Sequence, residues 1–179
     1  MGQSTGFYFH NLRQVWNKYY SADNAPVYPL TSWVPDVVVH AMGQNDQFQY
    51  DPNTDWYGTL KTRYVDQIRD YRRVYPNAHI ICMNTTMTDP NFLNGVWQAV
   101  QALNDPRVHF LRINKQTHSG HPNGNDHISM AQLLQQKIQQ VTGWTASGGG
   151  GIPNGWTNIK NRWTNGPIHV EWGDHQTPN

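Results

Sequence analysis

Three short apolar runs, 37–42, 78–83 and 108–113, alternate along this chain with longer stretches whose apolar residues recur at helical spacing. That alternation constrains the fold more than any other feature. Continuous runs of this length, rich in Val and Ile, have the pattern of strands buried on both faces of a parallel sheet. Between the first two runs, residues 56–75 bring Leu60, Tyr64, Ile68, Tyr71 and Tyr75 onto one helical face, and Pro76-Asn77 ends the helix. Asp89-Pro90 opens a second helix with Phe92, Leu93, Val96, Trp97, Val100 and Leu103 on one face, closed by Asp105-Pro106. A third spans His127 to Val141, with Ile128, Ala131, Leu134, Ile138 and Val141 on its stripe and Gly143 after its end. Strand and helix in strict succession predict right-handed crossovers and a three-layer α/β/α sandwich with a mainly parallel sheet.

Both ends depart from this rhythm. Residues 1–36 read as irregular, with one short helix around His10 to Tyr20. Gly148-Gly149-Gly150-Gly151 reads as a flexible link into a polar tail holding Trp156, Trp163 and Trp172. The expected division is a domain over 1–146 and an irregular, aromatic tail over 147–179. Trp33, Trp97 and Trp144 are expected in the core.

A chain of 179 residues with a net charge of +1 offers no electrostatic reason to expect nucleic acid or an anionic membrane as partner. No apolar run approaches the ~18–20 residues of a membrane helix. The single cysteine, Cys82, lies in an apolar strand, cannot form an internal disulfide and reads as a small buried hydrophobe. Asn84-Thr85-Thr86 is a glycosylation sequon and tips the expected compartment toward the extracellular side. Eight tryptophans and nine tyrosines suit the stacking of sugar rings.

In parallel sheets, sites form at the carboxyl ends of the strands. The first run leads into Gly43-Gln44-Asn45-Asp46, and the third is followed by His118 and His121-Pro122. A loop histidine has the near-neutral pKa that general-base chemistry needs. A carboxamide at a strand end is an uncharged donor able to face a developing oxyanion. Asp46 and Trp33 are candidate substrate contacts. His118, His121, His127 and Asp126 offer metal-type ligands, but loop spacing alone does not make tetrahedral geometry, so no metal is expected.

Two motifs in order carry a family resemblance: Gly43-Gln44-Asn45-Asp46 after Pro35-Asp36-Val37-Val38-Val39, and His121-Pro122 followed by His127-Ile128-Ser129-Met130-Ala131. With Ile68-Arg69 and Tyr75-Pro76-Asn77-Ala78 between them, the chain resembles the SGNH (GDSL-like) hydrolases over about residues 28–144. It most resembles the carbohydrate-esterase branch, which removes acetyl groups from polysaccharides. The resemblance implies a Ser-His acyl-transfer site without cofactor: His121 as base, Asn45 in the oxyanion hole, and Gly6 or Gly2 as the second oxyanion donor. His118 stands where the usual triad acid would be, which makes a dyad the expected arrangement. Gly2-Gln3-Ser4 looks like the family's serine turn, yet only Met1 precedes it, so Ser4 lacks the strand that would hold it. The expectation is therefore a sheet lacking its first strand or strands, with the serine coming from a missing segment or a second polypeptide. A complete five-stranded sheet built from this chain alone would contradict it. The implied function is hydrolysis of O-acetyl or another small ester on carbohydrate; the alternative is an inactive glycan-binding or assembly module.

Overall fold

The computed structural model describes residues 12–22 and 24–144. Gly2, Ser4, Gly6 and the link and tail from residue 147 lie outside the described residues. Strands and helices alternate as the apolar pattern predicts. A short helix α1 (Leu12–Val15) precedes β1 (Val37–His40), α2 (Trp56–Val74), β2 (His79–Met83), α3 (Pro90–Leu103), β3 (Val108–Leu111) and α4 (Gly124–Thr142). The strands form a parallel sheet in the order β1-β2-β3, with Val37 opposite His79 and Ile80 opposite Val108.

Each long helix has a local reason for its start. Asp55 accepts from the Gly58 N–H at 3.0 Å at the head of α2. Asp89 accepts from the Asn91 N–H at 2.8 Å at the head of α3, where Pro90 occupies a first-turn position that needs no amide hydrogen. Arg72 ends α2 by donating to the carbonyls of Tyr75, Pro76 and Ala78 and to Asp105 at 2.8 Å. The third helix begins three residues earlier than its apolar stripe implies. Asn123 and Asp126 form a capping box, so α4 starts at Gly124 and not at His127.

Alternation along β2 separates two packed faces. Ile80 and Cys82 join Leu60, Ile68, Phe92 and Val96 beneath α2 and α3, whereas Met83 packs with Ile113 and Met130 beneath α4. Helices on both faces give the three-layer α/β/α arrangement. Leu60, Tyr64, Ile68, Tyr71 and Tyr75 are all buried.

Three expectations about burial are overturned. β1 is not covered on both faces, and Val39 is 42% exposed, because among the described residues β1 has a neighbour on one side only. Trp33, Trp97 and Trp144 are exposed, not core: two lie outside any long element, and Trp97 sits at the margin of its helical face. The α4 stripe is partly uncovered, with Ile128 at 58% exposure and only Met130 buried, because α4 packs mainly on β3 and reaches β2 through Met83.

Candidate active site

Beyond His40 the chain turns through Gly43 in the left-handed region at φ 96°. A Cβ there would lie 2.7 Å from Phe92 Cζ, so both backbone angle and close approach require glycine. The Asp46 N–H donates to the Gly43 carbonyl at 2.9 Å and winds Gln44–Gln49 into a 3-10 turn that carries Asn45 and Asp46.

Side chains from the next loop hold this turn. Thr85 Oγ1 donates to Gln44 Oε1, Gln44 Nε2 reaches Met87 Sδ at 3.3 Å, and the Asp89 N–H donates to Gln47 Oε1 at 2.8 Å. The loop after β2 is joined in turn to the loop after β3. Thr86 Oγ1 donates to Gln116 Oε1 at 2.6 Å, and Asn84 exchanges two 2.9 Å hydrogen bonds with the backbone of Ile113. Gln116 Nε2 then donates to the Gly120 carbonyl at 2.7 Å, immediately before His121. Polar side chains thus link all three strand ends along one rim. Sequence reasoning missed Gln44, Thr85, Thr86 and Gln116. Their signal was the cluster of polar residues after each strand, and Asn84-Thr85-Thr86 was read only as a sequon. Asn84 is 4% exposed with its amide nitrogen donating to two carbonyls, a poor position for a glycan acceptor.

Asn45 is exposed and, with Asp46 and Gly43, lines a cavity of about 1190 Å³ that runs along α2. Burial raises the Asp46 carboxyl above its ordinary value, against a backbone hydrogen bond that lowers it. Gln67 faces the same cavity at 3% exposure, and its amide has no hydrogen-bond partner among the described residues. Beneath lies His40, its Nδ1 3.2 Å from the Tyr71 hydroxyl; burial pulls its pKa down to about 4, so it is neutral and not a working base near pH 7.

His121 lies on the same rim, exposed, with no hydrogen-bond partner among the described residues, and does not line the Asn45 cavity. His118 is engaged elsewhere. Its Nδ1 is 3.0 Å from the Ser119 carbonyl and its Nε2 is 2.7 Å from Asp126, and these contacts, in that order, raise its pKa. The position of the usual acid therefore holds an imidazole favoured in its cationic form. Trp33 precedes the amino end of β1, at the far end of that strand from Asn45. Among the described residues no group of three His, Cys, Asp or Glu side chains is placed to hold a metal ion, and no helix is long and apolar enough to cross a membrane.

No protein-family model and no curated protein matches the chain. Solved structures do match, and they are carbohydrate esterases of family 2, an SGNH-type family. One is a family 2 enzyme with a carbohydrate-binding domain from Corynascus thermopiles (Myceliophthora fergusii), 28% identical over 73% of this chain and 45% of that one, with a TM-score of 0.64. A second is a family two carbohydrate esterase from Clostridium thermocellum in complex with cellohexaose, 27% identical over 73% of this chain and 44% of that one, TM-score 0.62. An acetyl xylan esterase from the rumen bacterium Butyrivibrio proteoclasticus, 20% identical over 76% and 47%, TM-score 0.64, shares the fold. The chain spans less than half the length of each of these enzymes.

Proposed function

We propose that this domain belongs to a carbohydrate esterase that removes small acyl groups, O-acetyl foremost, by serine acyl transfer. His121 serves as general base and Asn45 as oxyanion donor, while the attacking serine comes from outside the described residues. The observation that carries this reading is the hydrogen-bonded rim: Asn45 and His121, 76 positions apart in number, stand on loops linked through Gln44, Thr85, Thr86 and Gln116. The similarity to family 2 carbohydrate esterases at 27–28% identity supports the same substrate class. In the proposed reaction the serine oxygen bonds to the acyl carbon as its proton passes to the His121 imidazole. Asn45 donates to the carbonyl oxygen as it gains charge. The acyl–oxygen bond to the sugar then breaks, the sugar oxygen leaving with the proton from the His121 imidazolium. Water that gives its proton to His121 attacks the acyl-serine, releasing the acid as the serine oxygen takes that proton back.

A second reading, an inactive glycan-binding module, is favoured by one fact: no hydroxyl is hydrogen-bonded to His121 among the described residues. Turnover of p-nitrophenyl acetate and release of acetate from acetylated xylan separate the two. His121→Ala should lower kcat by about 10²–10⁴, and Asn45→Ala by about 10²–10³. A serine-directed fluorophosphonate, located by peptide mapping, should label a residue other than Ser21, Ser32, Ser119 and Ser129. Undiminished turnover in both variants rejects these roles; absence of both turnover and label once a serine-bearing segment is supplied selects the binding module.

A further inference from the structure

We propose that a second cavity on the same rim, about 440 Å³ in volume, is a saccharide subsite for one or two pyranose rings of a neutral glycan. Its floor is a cluster of rings. Tyr50 lies 5.8 Å from Trp56 and 5.6 Å from Tyr57, and Trp56 and Tyr57 are 5.0 Å apart. Trp56 is buried and holds the cluster in place, while Tyr50 is 51% and Tyr57 38% exposed. Rings fixed from behind and open in front present a rigid apolar surface that costs little entropy to use.

The groups around these rings suit hydroxyls better than a purely apolar guest. Asn91 and Lys115 line the cavity with no hydrogen-bond partner for either side chain among the described residues. Gln47 spends its Oε1 on the Asp89 N–H and keeps its amide NH₂ available. Asp89 and Lys115 bring one carboxylate and one ammonium to the lining, so the cavity carries no excess charge that would select an ionised sugar. The volume lies within the ~300–1,000 Å³ of ordinary ligand sites, and the mix of aromatic floor and a few polar groups matches their usual lining.

Position supplies the purpose. Gln47 follows Asn45 by two residues on one 3-10 turn, so a sugar on Tyr50 and Tyr57 would be held beside the groups assigned to acyl transfer. Such a subsite grips the polymer while its ester is presented to Asn45 and His121. The inference rests on the carbohydrate reading of the domain, but not on hydrolysis.

Calorimetric titration of the whole chain with cellohexaose and with xylohexaose tests it. At least one should bind, and Tyr50→Ala/Tyr57→Ala should weaken that binding tenfold or more. Tyr50→Phe/Tyr57→Phe should retain most of it. Exposed Asn91→Ala and Lys115→Ala, which leave the ring cluster intact, should each weaken binding several-fold and keep the result interpretable if the alanine pair misfolds. No binding of either glycan at millimolar concentration overturns the proposal. So does full affinity in the folded alanine pair, or in both Asn91→Ala and Lys115→Ala. Glycan binding lost with the tyrosines, in a protein whose esterase turnover survives both His121→Ala and Asn45→Ala, would reject the proposed reaction and leave the subsite standing.

Discussion

His40 closes β1 with its imidazole 4% exposed, packed edge-on against Tyr64 and Tyr71. Because burial holds its folded pKa at about 4, the unfolded chain takes up a proton below pH 6.5 that the folded chain refuses. More protons bound to the unfolded state means stability that falls as pH drops from about 6.5 toward 4, by about 3 kcal/mol in all. Urea unfolding at pH 7 and at pH 4.5 should show this loss in the native chain, and His40→Phe should flatten it. An equal loss in the variant would mean that other groups carry it. The histidine is visible in the sequence inside the apolar run 37–42; its burial is not, because Tyr64 and Tyr71 reach it from α2. Gly43 teaches the same lesson. Its motif stands out in the sequence, but the contact that forbids a side chain comes from Phe92, far along the chain.

Among the elements, α4 shows how local chemistry and distant packing divide the work. Its start is set by Asn123-Gly124-Asn125-Asp126, which lies ahead of the apolar stripe and so escapes a reading by periodicity. Asn123 accepts from the Asn125 N–H at 2.9 Å and the Asp126 N–H at 3.2 Å, so Asn123→Ala should cost about 1 kcal/mol in urea unfolding. Asp126 also holds His118, which couples the cap to pH. The pair is intact between the lowered pKa of Asp126 and the raised pKa of His118. Its contribution is lost as pH falls through the first or rises through the second. In a proton NMR titration, Asp126→Asn should move the His118 midpoint down toward the ordinary histidine value; an unmoved midpoint would assign the shift to the Ser119 carbonyl alone. The burial of the α4 stripe was not legible. Periodicity identifies the inward face of a helix but carries no information on how much sheet lies beneath it.

At the scale of the molecule, the open side of β1 carries the largest consequence. The His79 N–H donates to the Asp36 carbonyl at 2.8 Å. In a parallel ladder that parity turns the backbone groups of Val37 and Val39 away from β2. Amide hydrogen exchange should therefore be at least tenfold faster at Val37 and Val39 than at Ile80 and Ile81 in the central strand. Equal protection would show a further strand seated on β1, drawn from residues outside those described or from another copy. Among the described residues the sheet holds three strands, and β1 has a neighbour on one side only.

The sequence by itself determined the layer architecture, the succession of the helices with the Asp89-Pro90 start of α3, and the two motifs that end at the rim. Periodicity, turn chemistry and capping act over a few residues, so a linear reading reaches them. Only the tertiary structure decided that Gln44, Thr85, Thr86 and Gln116 join the strand ends, that Asn45 opens onto a cavity from which His121 stands apart, and that Tyr50 and Tyr57 present their rings to solvent. Those outcomes depend on which elements lie side by side, and hydrogen bonds and burial between residues 30 to 70 positions apart leave no trace in local spacing.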